Sequence, residues 1–354
     1  MTRMTIKISV RSLFWAASLL SVGLLSAPIA YPQQPTAPSR SDDAIELVVY
    51  SARNEQLIQP LFAAYTRATG VKIRYTTAEA GVLIQRLQAE GARSPADILL
   101  TVDAGELWHA SEKGLLRPLK SPLLEQNIPA YLRDPDGRWF GLSLRARAIF
   151  YHPQRATVSE LKSYAGLAEP KWKGRLCLRT SKKVYNQSLV ATLISRDGER
   201  QTEHVVRGWI QNLAAPVFAN DTQVIEAIAA GQCDVGIANT YYFGRLQNKR
   251  SDLAVKIFWP DATQGGTHVN ISGAGVTRHA PHPVEAQRFL EWLSQGAAQQ
   301  QFAGINYEYP VNPATDLDPL VESWGALVPS AVPLTDAGRL QPAAVRLMDR
   351  AAYR

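Results

Sequence analysis

The chain has 354 residues, with 38 basic side chains against 31 acidic ones and a formal net charge of +7. The surplus is mild and no basic run is interleaved with aromatics, which argues against a nucleic-acid binder. The length suggests two lobes rather than one core. The six histidines show no helical pairing, and Gly-x-Ser-x-Gly, His-Glu-x-x-His and phosphate-loop motifs are all missing, which argues against an enzyme.

Residues 1–30 read as a signal peptide. Arg3, Lys7 and Arg11 precede an apolar run from Leu13 to Leu25, and the small residues Ser26, Ala27 and Ala30 follow. The run is short for a membrane span. Losing the three cations lowers +7 to +4 in the mature chain. Residues 31–44 are polar and Pro-rich and read as a flexible N-terminus.

Ile45 to Tyr50 is β-branched and predicts a strand. A helix from Glu55 to Gly70 places Ile58, Leu61, Phe62 and Tyr65 on one face. Strand, helix, strand and helix follow at Val71–Tyr75, Val82–Ala89, Asp97–Leu100 and Glu106–Glu112. This alternation predicts a mostly parallel sheet covered by helices, with ligands beyond the strands' carboxyl ends. Trp139 to Tyr151 alternates, with Arg145 and Arg147 on one face. Two arginines there need water or anionic partners. This segment and the glycine-rich Thr267–Val276 are the candidate crossing strands between lobes.

Arg175 to Arg179 predicts a strand that leads to Tyr185 at a helix N-terminus. Lys182 and Lys183 stand nearby, and the positive potential there favours an ionised phenol. The alternative is a solvated aromatic. Asp234 to Asn239 reads as a buried strand ending in Tyr241-Tyr242. Neighbouring side chains on a strand point to opposite faces, so both phenols reach one point only where the strand breaks. Asn239-Thr240 is the expected break. The alternative puts one tyrosine in the core and the other on the surface. Cys177 and Cys233 each lie eight residues before one of these tyrosines. In an exported chain an even count suggests a disulfide; two free thiols are the alternative.

Several stretches carry a resemblance to a known family. They are Val48–Asn54, Ser94–Asp97, Ser143–Arg147, Thr180–Asn186, Gly231–Tyr242 and His268–Gly275. Through them the chain resembles the periplasmic ferric-iron-binding proteins, the solute-binding components of bacterial iron ABC importers. The resemblance implies an α/β fold of two lobes joined by two crossing hinge strands, with iron in the cleft. Lobe 1 is expected at 45–144 and 271–320, and lobe 2 at 145–270 and 321–354. Some members take a histidine, or a His-Tyr pair, from the first loop; here that place reads Asn54-Glu55. The members with the first-loop histidine also take a carboxylate from the loop near Thr101, and that place falls at Val102. A three-tyrosine subgroup matches better, with Tyr185, Tyr241 and Tyr242 as ligands and Tyr151 as a core residue.

Three phenolates balance Fe³⁺, and carbonate, a similar small anion or water would complete the shell. Arg53, Arg145 and Asn54 are the residues expected to hold the anion, by charge-assisted hydrogen bonds in the case of the arginines. Asp103 and Glu55 are alternative oxygen ligands. The family further implies a periplasmic monomer that delivers iron to an inner-membrane permease. A binding protein of the same fold for an inorganic anion or a phosphonate is the rival reading.

Overall fold

The computed structural model describes residues 45–354. The expected signal peptide and the segment 31–44 lie outside the described residues. The strands are β1 (Glu46–Ser51), β2 (Lys72–Thr77), β3 (Ile98–Thr101), β4 (Phe140–Tyr151), β5 (Leu176–Cys177), β6 (Val235–Asn239), β7 (Lys256–Phe258), β8 (Val269–Val276) and β9 (Tyr309–Pro310). Helices α1 (Glu55–Thr69), α2 (Ala80–Glu90) and α3 (Ala104–Glu112) separate or follow the first three strands, and α4 (Pro122–Asn127) precedes β4. Between β5 and β6 come α5 (Val184–Asp197), α6 (Glu199–Gln211) and α7 (Asp221–Ala229), and α8 (Thr240–Lys249) leaves β6 directly. The remaining helices are α9 (Pro283–Leu293), α10 (Gly296–Gly304), α11 (Pro319–Glu322), α12 (Thr335–Arg339) and α13 (Gln341–Arg350). No helix among the described residues is long and apolar enough to cross a membrane.

Helix α1 buries Ile58, Leu61, Phe62 and Tyr65, the face that the 3.6-residue period predicts. Gly70 ends it at φ 77°, a left-handed conformation that glycine adopts without steric cost. The strands run in the order β2-β1-β3-β8-β4-β6-β5, with β7 and β9 also paired to β4. The sheet is not mostly parallel. Among the named strands of the described residues, parallel pairing is confined to β1 with β2, β1 with β3, and β5 with β6. Every pairing of β4 and β8 is antiparallel, because these strands carry the chain across the middle of the sheet and back.

Strand β4 serves both lobes of the fold. Phe140–Ala146 pairs with β8, and Arg147–Tyr151 pairs with β6. All twelve of its residues are buried, so both faces of the alternating pattern meet protein. Tyr151 is a core residue of this strand. A second apolar core gathers around Trp172, Trp209 and Leu193 and is closed by Leu347 and Met348 of α13. Helix α12 packs against both α3 and α5.

Cys177 on β5 and Cys233, just before β6, form a disulfide with 5.9 Å between their Cα atoms. The bridge joins the two strands that lead to Tyr185 and to Tyr241.

Candidate metal centre

Strand β6 ends at Asn239 and α8 starts at Thr240. The break falls where the turn-forming residues predict it. Successive side chains on a helix diverge by about 100° rather than 180°, so Tyr241 and Tyr242 share a side. Their ring centroids are 4.3 Å apart with 32° between planes. Tyr185 is the second residue of α5. Two helix N-termini, each with partial positive charge, therefore bring phenols to one place. The phenol of Tyr241 has those of Tyr185 and Tyr242 as immediate neighbours.

Burial pushes the Tyr185 phenol up to about 12; the Tyr242 phenol adds to the shift, while Arg145, a hydrogen bond with Tyr241 and Arg179 oppose it. Burial, then Tyr185 and Tyr242, raise Tyr241 well above the ordinary tyrosine value. Without a cation these two phenols hold their protons at neutral pH.

Three arginines surround the phenols. Arg145 on β4 stands 5.5 Å from the Tyr185 ring centroid and Arg179 stands 5.3 Å from it. Arg179 also touches the Tyr242 phenol. Arg245 lies 5.4 Å from the ring centroid of Tyr241 and 5.9 Å from that of Tyr242, and it donates to Asn306 Oδ1. Arg145 gives one amino group to the carbonyl of Val102 and lies 3.7 Å from Asp103. Its Nη1 is buried without a hydrogen-bond partner, as are Nε of Arg179 and Nδ2 of Asn239, while Nη1 of Arg179 faces Asp221 at 3.7 Å without a hydrogen bond. A cavity of about 10 Å³ is walled by Arg145, Arg147, Tyr185, Asn239, His268 and Asn270. Buried donors without acceptors are costly, so these guanidinium and amide groups hold donors still unspent beside the phenols.

Arg147 is engaged elsewhere. It donates to Asn186, to Asp221 and to Asn239, tying together the turns that carry the tyrosines.

The structure does not bring the other expected anion residues to the phenols. Arg53 is 2% exposed and is engaged elsewhere. There it pairs with Glu308 at 3.0 Å, donates to Ser272 Oγ at 2.7 Å and covers the Phe302 ring at 4.4 Å. A buried Glu308 needs a cation, and Arg53 supplies it. Asn54 is exposed and caps α1 by accepting from Gln56 N–H at 3.0 Å. Glu55 is exposed and accepts from the Tyr75 hydroxyl at 2.7 Å. Asp103 caps α3 and is saturated with donors.

Arg179 and Arg245, which stand beside the phenol rings, are not singled out by the sequence. Arg245 lies three residues after Tyr242 on one helix, a spacing that puts both on one face. Arg179 closes the β5 segment, and no local pattern marks it.

Among the described residues no group of three or more His, Cys, Asp and Glu side chains could hold a metal ion.

Residues 60–329 match the family described as bacterial extracellular solute-binding protein. Iron uptake protein A2 of Synechocystis sp. is 41% identical over 99% of this chain and all of its own length. Iron uptake protein A1 of Synechocystis sp. is 40% identical over 94% of this chain and 93% of its own. A Trichodesmium protein solved in complex with iron and citrate superposes with a TM-score of 0.83 at 40% identity, over 87% of this chain and all of that one. These relatives are solute-binding proteins rather than enzymes. The chain belongs to the bacterial extracellular solute-binding proteins and, within them, to the periplasmic ferric-iron-binding family.

Proposed function

We propose that this protein captures Fe³⁺ in the cleft between its lobes through the phenolates of Tyr185, Tyr241 and Tyr242, and hands it to an inner-membrane ABC permease. The observation that carries the reading is the convergence of three phenols at two helix N-termini. A phenolate is a hard oxygen donor suited to a hard, highly charged cation. Three phenolates cancel three charges, and a bound cation drives off the phenol protons. Lobe 2, expected at 145–270 and 321–354, carries all three tyrosines and receives the ion first. Lobe 1, expected at 45–144 and 271–320, then closes by hinge bending. The protein acts as a monomer in the periplasm.

A small anion such as carbonate completes the coordination shell. Of the three residues expected to hold it, Arg145 keeps a free donor at the phenols. Arg179 and Asn239 have free donors too, whereas Arg53 and Asn54 are committed within lobe 1. The sequence relatives named for iron uptake support the cargo, and the Trichodesmium structure with iron and citrate supports an anion beside it.

The deciding experiment is a visible titration of purified, iron-free protein with Fe³⁺ in bicarbonate buffer. A phenolate-to-iron charge-transfer band at one iron per chain is the expected result. A colourless iron-bound protein would reject the ligand set. The rival reading, an inorganic anion or phosphonate as sole cargo, draws on the three guanidinium groups at the site. It requires saturable anion binding without metal.

A further inference from the structure

Lobe 1 sends no first-loop side chain to the phenols, yet it does contact the helix that carries Tyr185. The contact is Asp103, at the turn between β3 and α3. Its Oδ1 accepts from Gly105 N–H at 2.8 Å. Its Oδ2 accepts from Asn270 Nδ2 at 2.8 Å and from Ser188 Oγ at 2.8 Å, with Arg145 Nη2 at 3.7 Å. Asp103 and Ser188 are both fully excluded from water.

The partners of Asp103 divide into two kinds. Gly105 lies in its own helix, and Arg145 and Asn270 lie on the paired strands β4 and β8. Ser188 alone belongs to α5. It follows Tyr185 by three residues, so the two share one face of that helix. A carboxylate held from its own turn by Gly105 and from the two crossing strands by Arg145 and Asn270, with one further hydrogen bond reaching the tyrosine helix, forms a latch. The other charged bridge to the start of this helix, Lys183 to Glu79 at 3.3 Å, joins exposed side chains. Such pairs contribute little.

We propose that Asp103 is the positioning residue that holds the cleft closed, gripping Ser188 so that lobe 1 retains the iron without ligating it. This rests on the ferric function proposed above. A chain with Asn54-Glu55 in its first loop lacks a first-loop His or Tyr that could draw lobe 1 onto the metal. The hydrogen bond from Ser188 to a buried carboxylate takes that part. Asp103 touches neither iron nor phenol in this scheme; it acts through Ser188 and α5.

The test compares full-length mature protein with Ser188→Ala, Ser188→Thr and Asp103→Asn variants. Each is loaded with Fe³⁺ in bicarbonate buffer and mixed with excess EDTA, and the loss of the charge-transfer band is followed. Losing a hydrogen bond to a charged group predicts release about tenfold faster or more in Ser188→Ala. The band position and the iron stoichiometry should not change. Ser188→Thr keeps the hydroxyl and should restore slow release. Release at the wild-type rate in Ser188→Ala overturns the latch. A shifted band in Asp103→Asn makes Asp103 a ligand and also overturns it.

Small-angle scattering of the iron-free proteins decides the matter independently of metal. The iron-free protein exchanges between open and closed forms, and the latch favours the closed one, so it predicts a larger mean radius of gyration in Ser188→Ala than in wild type, and equal radii reject it. A wild type that takes up no Fe³⁺ therefore rejects the ferric function while the scattering still judges the latch.

Discussion

Arg147 and Asp221 form a two-armed ion pair beneath the tyrosines, at 3.0 and 3.3 Å, with both side chains shut off from water. The same guanidinium donates to Asn186, next to Tyr185, and to Asn239, at the end of the strand before Tyr241. One side chain thus fixes both turns that present phenols. Such a pair is held by mutual attraction plus hydrogen bonds that satisfy the rest of each group.

Arg147→Met should therefore damage both the fold and the site. Leaving a buried carboxylate without its main partner costs roughly 3–5 kcal/mol. Arg179, 3.7 Å from Asp221, should hold the loss near the lower end. Urea unfolding measures the cost, and a loss below about 1 kcal/mol, the level of an exposed pair, would mean that Asp221 finds water or another cation. Iron affinity should fall in the same variant, because both tyrosine turns lose their common anchor.

Replacing single phenols separates ligands from core. Removing groups that merely orient a metal ligand typically costs about 10–100-fold in affinity. Tyr185→Phe, Tyr241→Phe and Tyr242→Phe each delete a proposed ligand and should exceed that. Tyr151→Phe alters a buried residue of β4 and should leave iron affinity close to wild type. Competition against a chelator of known strength gives the four values. Equal losses across the set would move the site away from the three phenols.

The Cys177–Cys233 bridge closes a loop with a sequence separation of 56. A double Cys→Ser variant should lose about 2–4 kcal/mol of stability, since the unfolded chain regains the freedom that the crosslink removed. The bridge also couples β5 to β6 directly ahead of the two tyrosine turns. Iron affinity should therefore drop in the variant even at temperatures where it remains folded. Unfolding midpoints by circular dichroism, paired with iron titration at low temperature, check both parts.

Local patterns made much of this molecule legible. The buried face of α1 follows from its period alone, and the Asn239-Thr240 break follows from turn and cap preferences. Both are set by residues a few positions apart. The direction of strand pairing is not local. It depends on β4 and β8 returning through the middle of the sheet, which strand-helix alternation does not encode. The fate of Arg53 is the sharpest case. It stands in the stretch that matches the family, but its partner Glu308 lies 255 residues further along. No spacing rule links the two. Arg245 could have been found from its place on the face of α8 that carries the tyrosines, whereas Arg179 becomes visible only once α5 and α8 meet.

Proton release should dominate the pH dependence of iron binding. Burial pushes Tyr185 up to about 12 and raises Tyr241 well above the ordinary tyrosine value, so both phenols are protonated throughout the range from pH 5 to 8. Fe³⁺ must displace both protons. Its apparent affinity should rise with pH by at least about two orders of magnitude per unit, and fall as steeply on acidification. In the iron-free protein the sign is opposite and the window is different. The folded state holds these protons more tightly than the unfolded chain, whose tyrosines titrate near 10. Stability is therefore present in full below about pH 10 and declines as pH rises toward 12, because the unfolded state then binds fewer protons. Iron competition between pH 5.5 and 7.5, with chelator speciation corrected, tests the first statement. Urea unfolding between pH 8 and 11 tests the second. An affinity slope below one order of magnitude per unit would mean that the metal does not displace the phenol protons.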